Sequence, residues 1–308
     1  MFSKKLLIPL LSLSLLVTPA YSSHAAENTE AVETSVEDQG MLSPSSSSEN
    51  SESVFNGSGA GTSSEPVTDE KLETILKQVQ SQLPAENGTW AVFISDLVNG
   101  TEGSLNDQKM QAASLIKLYI MGAVYENYDQ ITGQYGRDSV DSNLYSMITV
   151  SDNDAANTLT TYLGGGDSAA GMQAVNSFCQ AHGYDQTHMG RMLLASNEND
   201  DNYTSVGDCG HLLQEIYKQD TSGYTHATDM FNLLKAQTRC NKIPAQLPEG
   251  VKTANKTGEL DNVENDAGII YDSKNDVVIV FMSQNLSSAG SAQNTIATLS
   301  RTIYDYYN

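Results

Sequence analysis

Basic residues are scarce: 16 Lys and Arg stand against 38 Asp and Glu in 308 residues, a formal net charge of −22. Such a chain repels a phosphate backbone, so nucleic-acid binding is excluded. Cysteine is scarcer still. Cys179, Cys209 and Cys240 form no CxxC pair and no His stands at ligand spacing from them, so no metal site is expected. Three cysteines allow one disulfide in three ways. Cys209–Cys240 is the expected pair, set against three buried thiols acting as small apolar side chains. Long apolar runs are absent too, since Leu6–Val17 is too short to span a bilayer comfortably. No cofactor is called for.

What is present divides the chain into three. Lys4 and Lys5 precede the short apolar run and Ser23-His24-Ala25 follows it, so residues 1–26 read as a cleaved secretory signal peptide, with an uncleaved anchor as the alternative. No cysteine follows the run to carry a lipid. The product would be secreted or cell-wall associated. Residues 27–66 are rich in Ser, Glu and Gly, and no Lys or Arg occurs between Lys5 and Lys71. Such a segment buries too little apolar area to offset its ordering entropy. It reads as a disordered linker, either a tether through a wall layer or a solubilising spacer. Residues 67–308 leave one domain of about 240 residues, enough for a large core.

Within the domain, Leu72, Ile75, Leu76, Val79 and Leu83 follow helical spacing and Pro84 stops the helix. Trp90–Leu97 alternates as a strand, Asn99-Gly100 is a turn, and a second strand is expected near Gly103–Met110. From Ala112 to Gln246 the pattern is mostly helical, broken near Gly133, Ser151, Gly164-Gly165-Gly166 and Asn197–Asn202. Strands return at Val251–Leu260, Asp266–Tyr271 and Asp276–Met282, with a hairpin at Tyr271–Asn275. Ile296, Leu299, Ile303 and Tyr307 mark a last amphipathic helix. Strands so far apart must share one sheet, with both terminal helices on one face and the helical insertion on the other. The expected fold is a three-layer α/β/α sandwich.

Three short motifs carry chemistry. Ala112-Ala113-Ser114-Leu115-Ile116-Lys117 opens a helix with almost no polar face. A buried ammonium there is costly unless it is paired or loses its proton. Positions i and i+3 share a helix face, so Ser114 and Lys117 converge. A serine needs a base, and burial or a second cation lowers a lysine pKa into the working range. Ser151-Asp152-Asn153 lies at a helix break. Ser151 can relay a proton, Asn153 can hold a substrate amide, and Asp152 fits the cap of the next helix. Lys256-Thr257-Gly258 lies in an edge-like strand. Gly258 permits close backbone approach, while Lys256 and Thr257 suit a substrate carboxylate. The backbone N–H groups of Ser114 and Glu259 would form an oxyanion hole. Taken singly, each motif also has a bland reading: a surface lysine, a capping turn, an ordinary strand.

In the order SxxK, SDN, KTG, the set resembles the class A β-lactamase superfamily of penicillin-recognising serine enzymes over essentially all of Val67–Asn308. Asp154-Ala155-Ala156-Asn157, Leu163-Gly164-Gly165 and Asn265-Asp266 support the resemblance. It implies a five-stranded antiparallel sheet and acylation of Ser114 by a β-lactam or a D-Ala-D-Ala-like peptide. It also implies Lys117 as base, Ser151 as relay, Asn153 as substrate binder, and Lys256 and Thr257 as carboxylate binders. A monomer is expected.

The sequence departs from the family at two places. The family's loop run R-x-E-x-x-x-N reads Arg191-Met192-Leu193-Leu194-Ala195-Ser196-Asn197, so Leu193 stands where a glutamate activates the deacylating water. Glu198, Asp200 or Asp201 would have to substitute, or the ester is released slowly. Only 37 positions separate Ser114 from Ser151, so one wall of the cleft is shortened. Tyr135 and Tyr145 are candidates for an aromatic gate, and Lys242 for the missing carboxylate-binding arginine. Three functions follow: a β-lactam hydrolase with slow deacylation, a peptidoglycan D,D-carboxypeptidase or related wall hydrolase, and a β-lactam-binding sensor without turnover.

Overall fold

A computed structural model describes residues 69–219 and 224–308. The expected signal peptide and linker lie outside the described residues. Helix α1 (Glu70–Gln82) begins where the Asp69 side chain accepts from the Lys71 N–H, and it buries Leu72, Ile75 and Val79. Strands β1 (Thr89–Asp96) and β2 (Thr101–Leu105) pair across the turn at Gly100, whose φ of 68° suits glycine. The C-terminal strands are β5 (Lys252–Leu260), β6 (Val263–Tyr271) and β7 (Val277–Gln284). They join the first two in one antiparallel sheet of order β2-β1-β7-β6-β5. Val92, Ile94, Ile279 and Phe281 on one face pack against α1 and the last helix α9 (Ala289–Tyr307). Ala91, Phe93, Ala254, Ala267 and Ile269 face the helical insertion. The three layers follow from this two-sided burial.

The insertion comprises α2 (Ile116–Glu126), α3 (Tyr128–Tyr135), α4 (Arg137–Thr149), α5 (Asn153–Leu163), α6 (Ser168–Ala181), α7 (Val206–Lys218) and α8 (Ala227–Lys235). Ten residues of α2, Lys117 included, are buried, which makes it the central helix of the layer.

Four expectations need correction. The second strand does not run to Met110: Asn106 turns the chain with φ 56°, and Met110–Gln111 (β3) pairs instead with Tyr203–Thr204 (β4). The break expected at Gly133 falls at Gly136, whose φ of 85° no helix accommodates. The strand expected from Asp266 begins at Val263. No Cys209–Cys240 disulfide forms: Cys209 is buried in α7 with its sulfur against the Tyr119 hydroxyl, whereas Cys240 is exposed on a loop after α8, and all three cysteines are free. Among the described residues no helix is long and apolar enough to cross a membrane.

Candidate active site

Ser114 lies in a single 3₁₀ turn, Ala113–Leu115, that leads into α2. Lys117 follows three residues on, in α2, so the two side chains share one face and Ser114 Oγ lies 3.1 Å from Lys117 Nζ. Three supports hold the turn. The β3–β4 bridge fixes the preceding residues. The Asn265 amide on β6 donates to the carbonyls of Gln111 and Ala112. Gly258 on β5 lies flat against the turn: a Cβ there would come within 2.9 Å of the Ala112 oxygen and 3.2 Å of the Ser114 nitrogen. Ala113 and Ser151 both have positive φ, 48° and 62°, a conformation that costs a non-glycine residue roughly 1–2 kcal/mol. Strain of this kind persists where the surroundings over-determine it.

Lys117 Nζ meets four oxygens. The Ser151 carbonyl and Asn153 Oδ1 are both at 2.7 Å; Ser114 Oγ and Ser151 Oγ are both at 3.1 Å. The first two can only accept. An amine that donates its two N–H groups to them has one lone pair left for a hydroxyl proton. Lys256 Nζ completes the group, donating to Ser151 Oγ at 2.9 Å and to the Thr257 carbonyl at 2.8 Å. The Ser151 hydroxyl therefore stands between two amines. Asp152 caps α5 by accepting from the Ala155 N–H, which sets the Ser151–Asn153 turn in place.

Burial pushes the Lys117 amine down to about 7, with help from the nearby Arg239 charge and opposition from Asp152. Burial also pushes Lys256 well below its ordinary value, followed by repulsion from Lys117 and Arg239. The two amines share one hydroxyl, and the charge of either disfavours a charge on the other.

Ser114, Asn153, Arg191, Leu193–Asn197, Glu259 and Leu260 border a cleft of about 340 Å³. Thr257 is buried on β5 between Lys256 and Gly258. A larger hollow of about 660 Å³ lies at the other end of the sheet beside Tyr217, Phe231 and Tyr271. It has no nucleophile with a base, so the smaller cleft is the chemical one.

The loop contributes no free carboxylate to that cleft. Leu193 is clamped by Asn157, which accepts from its N–H at 2.8 Å and donates to its carbonyl at 3.1 Å. Asp201 binds Arg191 and Gln111. Asp200 binds His188, and neither it nor Glu198 borders the cleft. None of the three is among the residues that border the cleft. Neither tyrosine forms the expected gate: Tyr135 stacks on Tyr162 at 3.8 Å, and Tyr145 lines a separate hollow with Tyr128 and His226. Lys242 cannot receive a substrate carboxylate either. It is fully buried, bonded to Glu264 at 2.6 Å and Glu259 at 3.1 Å.

Sequence reasoning missed Arg239. Its guanidinium contacts Glu259 at 3.1 Å and reaches toward the Val150 carbonyl, beside the Ser151 turn. The only signal for it was a basic residue in a strongly acidic chain. Burial works against the Glu259 carboxylate, but Lys242 and then Arg239 outweigh it and keep it ionised.

The sequence matches the Beta-lactamase enzyme family over residues 71–138 and 134–307. No curated protein matches it in sequence. Among solved structures it is similar to PBP-A, 22% identical, covering 76% of this chain and 96% of that one at a TM-score of 0.67. A mutant PBP-A solved as an acyl-enzyme complex with penicillin G is 23% identical, with 76% and 96% covered and a TM-score of 0.65. A beta-lactamase from Sphaerobacter thermophilus DSM 20745 is 22% identical, with 76% and 95% covered and a TM-score of 0.62. Likeness at these identities concerns the fold.

Proposed function

Because the chain belongs to the Beta-lactamase enzyme family, we propose that it is a serine hydrolase acylated at Ser114 by β-lactams and slow to release the product. One observation supports this reading above the others: Ser114, Lys117, Ser151 and Lys256 are linked by hydrogen bonds through two amines. Ser114 Oγ attacks the lactam carbonyl while the neutral Lys117 amine takes its proton. The backbone N–H groups of Ser114 and Glu259 hold the oxyanion. As the carbonyl–nitrogen bond breaks, the proton passes from Lys117 through the Ser151 hydroxyl to the leaving nitrogen. Asn153 holds the acyl amide, and Lys256 and Thr257 attract the substrate carboxylate. No cofactor enters. Export to the wall or the medium is part of the same proposal, carried by residues 1–26.

Release of the ester needs a water and a base, and a leucine side chain is no base. General-base assistance is worth ~100 to 10,000-fold in rate. With nitrocefin, the expected trace is a burst equal to the enzyme concentration followed by slow turnover. Leu193→Glu should raise the slow phase by ~100-fold. Rapid multiple turnover by the wild type would contradict slow release.

The absent carboxylate also favours a second reading, a peptidoglycan D,D-carboxypeptidase acting on D-Ala-D-Ala-like peptides in the wall. D-alanine release from a stem-peptide mimic supports it; no release from several mimics, with the burst still present, leaves the β-lactam reading alone.

A further inference from the structure

The Glu259 side chain stands where it has no part in the proton path, yet it borders the same cleft as Ser114. One of its oxygens is 3.1 Å from Arg239 Nη1 and the other is 3.1 Å from Lys242 Nζ. Lys242 has no need of it for neutrality, since Glu264 already lies 2.6 Å away. Arg239 differs. Its side chain is 43% exposed and that of Glu259 is 32% exposed, so the pair reaches solvent, with Glu259 on the cleft side of it. Arg191, which borders the cleft itself, is occupied by Asp201 and is only 12% exposed. A partly exposed guanidinium beside the Ser151 turn, one residue away from the cleft through Glu259, is a natural seat for an anionic group. Here the chain's own carboxylate already fills it.

Resting on the acylation reading above, we propose that Glu259 determines specificity by charge: it occupies Arg239 as an internal carboxylate and disfavours substrates that bring a carboxylate to this end of the cleft. An anionic substrate must open the Glu259–Arg239 pair or approach beside a like charge. A neutral ester or amide at the same position meets neither penalty and finds in Glu259 a hydrogen-bond acceptor. The backbone N–H of Glu259 can serve the oxyanion while the side chain sorts substrates, because the two point to different partners.

The test uses benzylpenicillin and its methyl ester, which differ in that one charge. Acylation rate constants are read by intact-protein mass for the wild type, Glu259→Gln and Arg239→Gln, with folding of each checked by circular dichroism. The glutamine keeps the shape and a hydrogen bond to Lys242. The expected result is a ~10-fold gain with the free acid in Glu259→Gln and a change within ~2-fold for the ester, the size typical of a partly exposed charge pair. Arg239→Gln should slow the acid and spare the ester. A merely structural Glu259 would shift both substrates alike, and that outcome overturns the proposal. The same pair titrated calorimetrically against Ser114→Ala, with and without Glu259→Gln, reads the charge preference in binding alone. A wild type that forms no adduct but shows the preference in binding rejects the acylation reading and keeps Glu259's role. An adduct with no acid–ester difference between the two forms does the reverse.

Discussion

A lysine that takes a proton from Ser114 must itself be neutral, and burial in α2 lowers the Lys117 amine to about 7. The sign follows directly. Below that value Lys117 is an ammonium and cannot accept, so acylation should fall about tenfold per pH unit; above it the rate should level off. Single-turnover acylation of the wild type between pH 5 and 9 checks this, with a midpoint near 7 expected. A flat profile would show that Lys117 is not the base.

Among the elements, the edge strand β5 sets the position of the nucleophile. Gly258 touches the 3₁₀ turn so closely that a methyl group must push it away: the nearest atoms are backbone and cannot yield independently. Gly258→Ala should therefore keep the fold and lose ~10-fold in acylation rate, since the turn must shift by a few tenths of an ångström and a misplacement of about 1 Å costs ~100-fold. Wild-type acylation in that variant would mean the turn is not set by β5. The Ser114–Lys117 pairing was legible because i, i+3 spacing is a local rule, and the layered fold because hydrophobic periodicity is local too. Ser151 and Lys256 were legible only as members of a motif set, since no local pattern says that residues 105 positions apart share a hydrogen bond. Arg239 was not legible. Its place depends on how the loop after α8 crosses β5, which is a tertiary outcome. The β3–β4 bridge was invisible for another reason: two-residue strands carry no period. Lys242 was misread because burial, which depends on tertiary packing, decides which charges a substrate can reach.

For the whole molecule, stability rests on two apolar layers either side of one sheet rather than on covalent cross-links. Burial raises the thiols of Cys179 and Cys209 to about 12, while Cys240 is exposed. The native protein should thus yield one thiol to an aromatic disulfide reagent and the unfolded protein three, with the thermal midpoint unmoved by reductant. One thiol after unfolding would establish a disulfide instead.

The most direct test is the mass of the intact protein followed over time after mixing with benzylpenicillin. One equivalent should add, peptide mapping should place it on Ser114, and it should persist over many minutes because Leu193 offers no base. Ser114→Ala and Lys117→Ala should gain no such mass on that timescale. A wild type that gains nothing, or an adduct that survives Ser114→Ala, would contradict the convergence of hydroxyl and amines as the source of the chemistry.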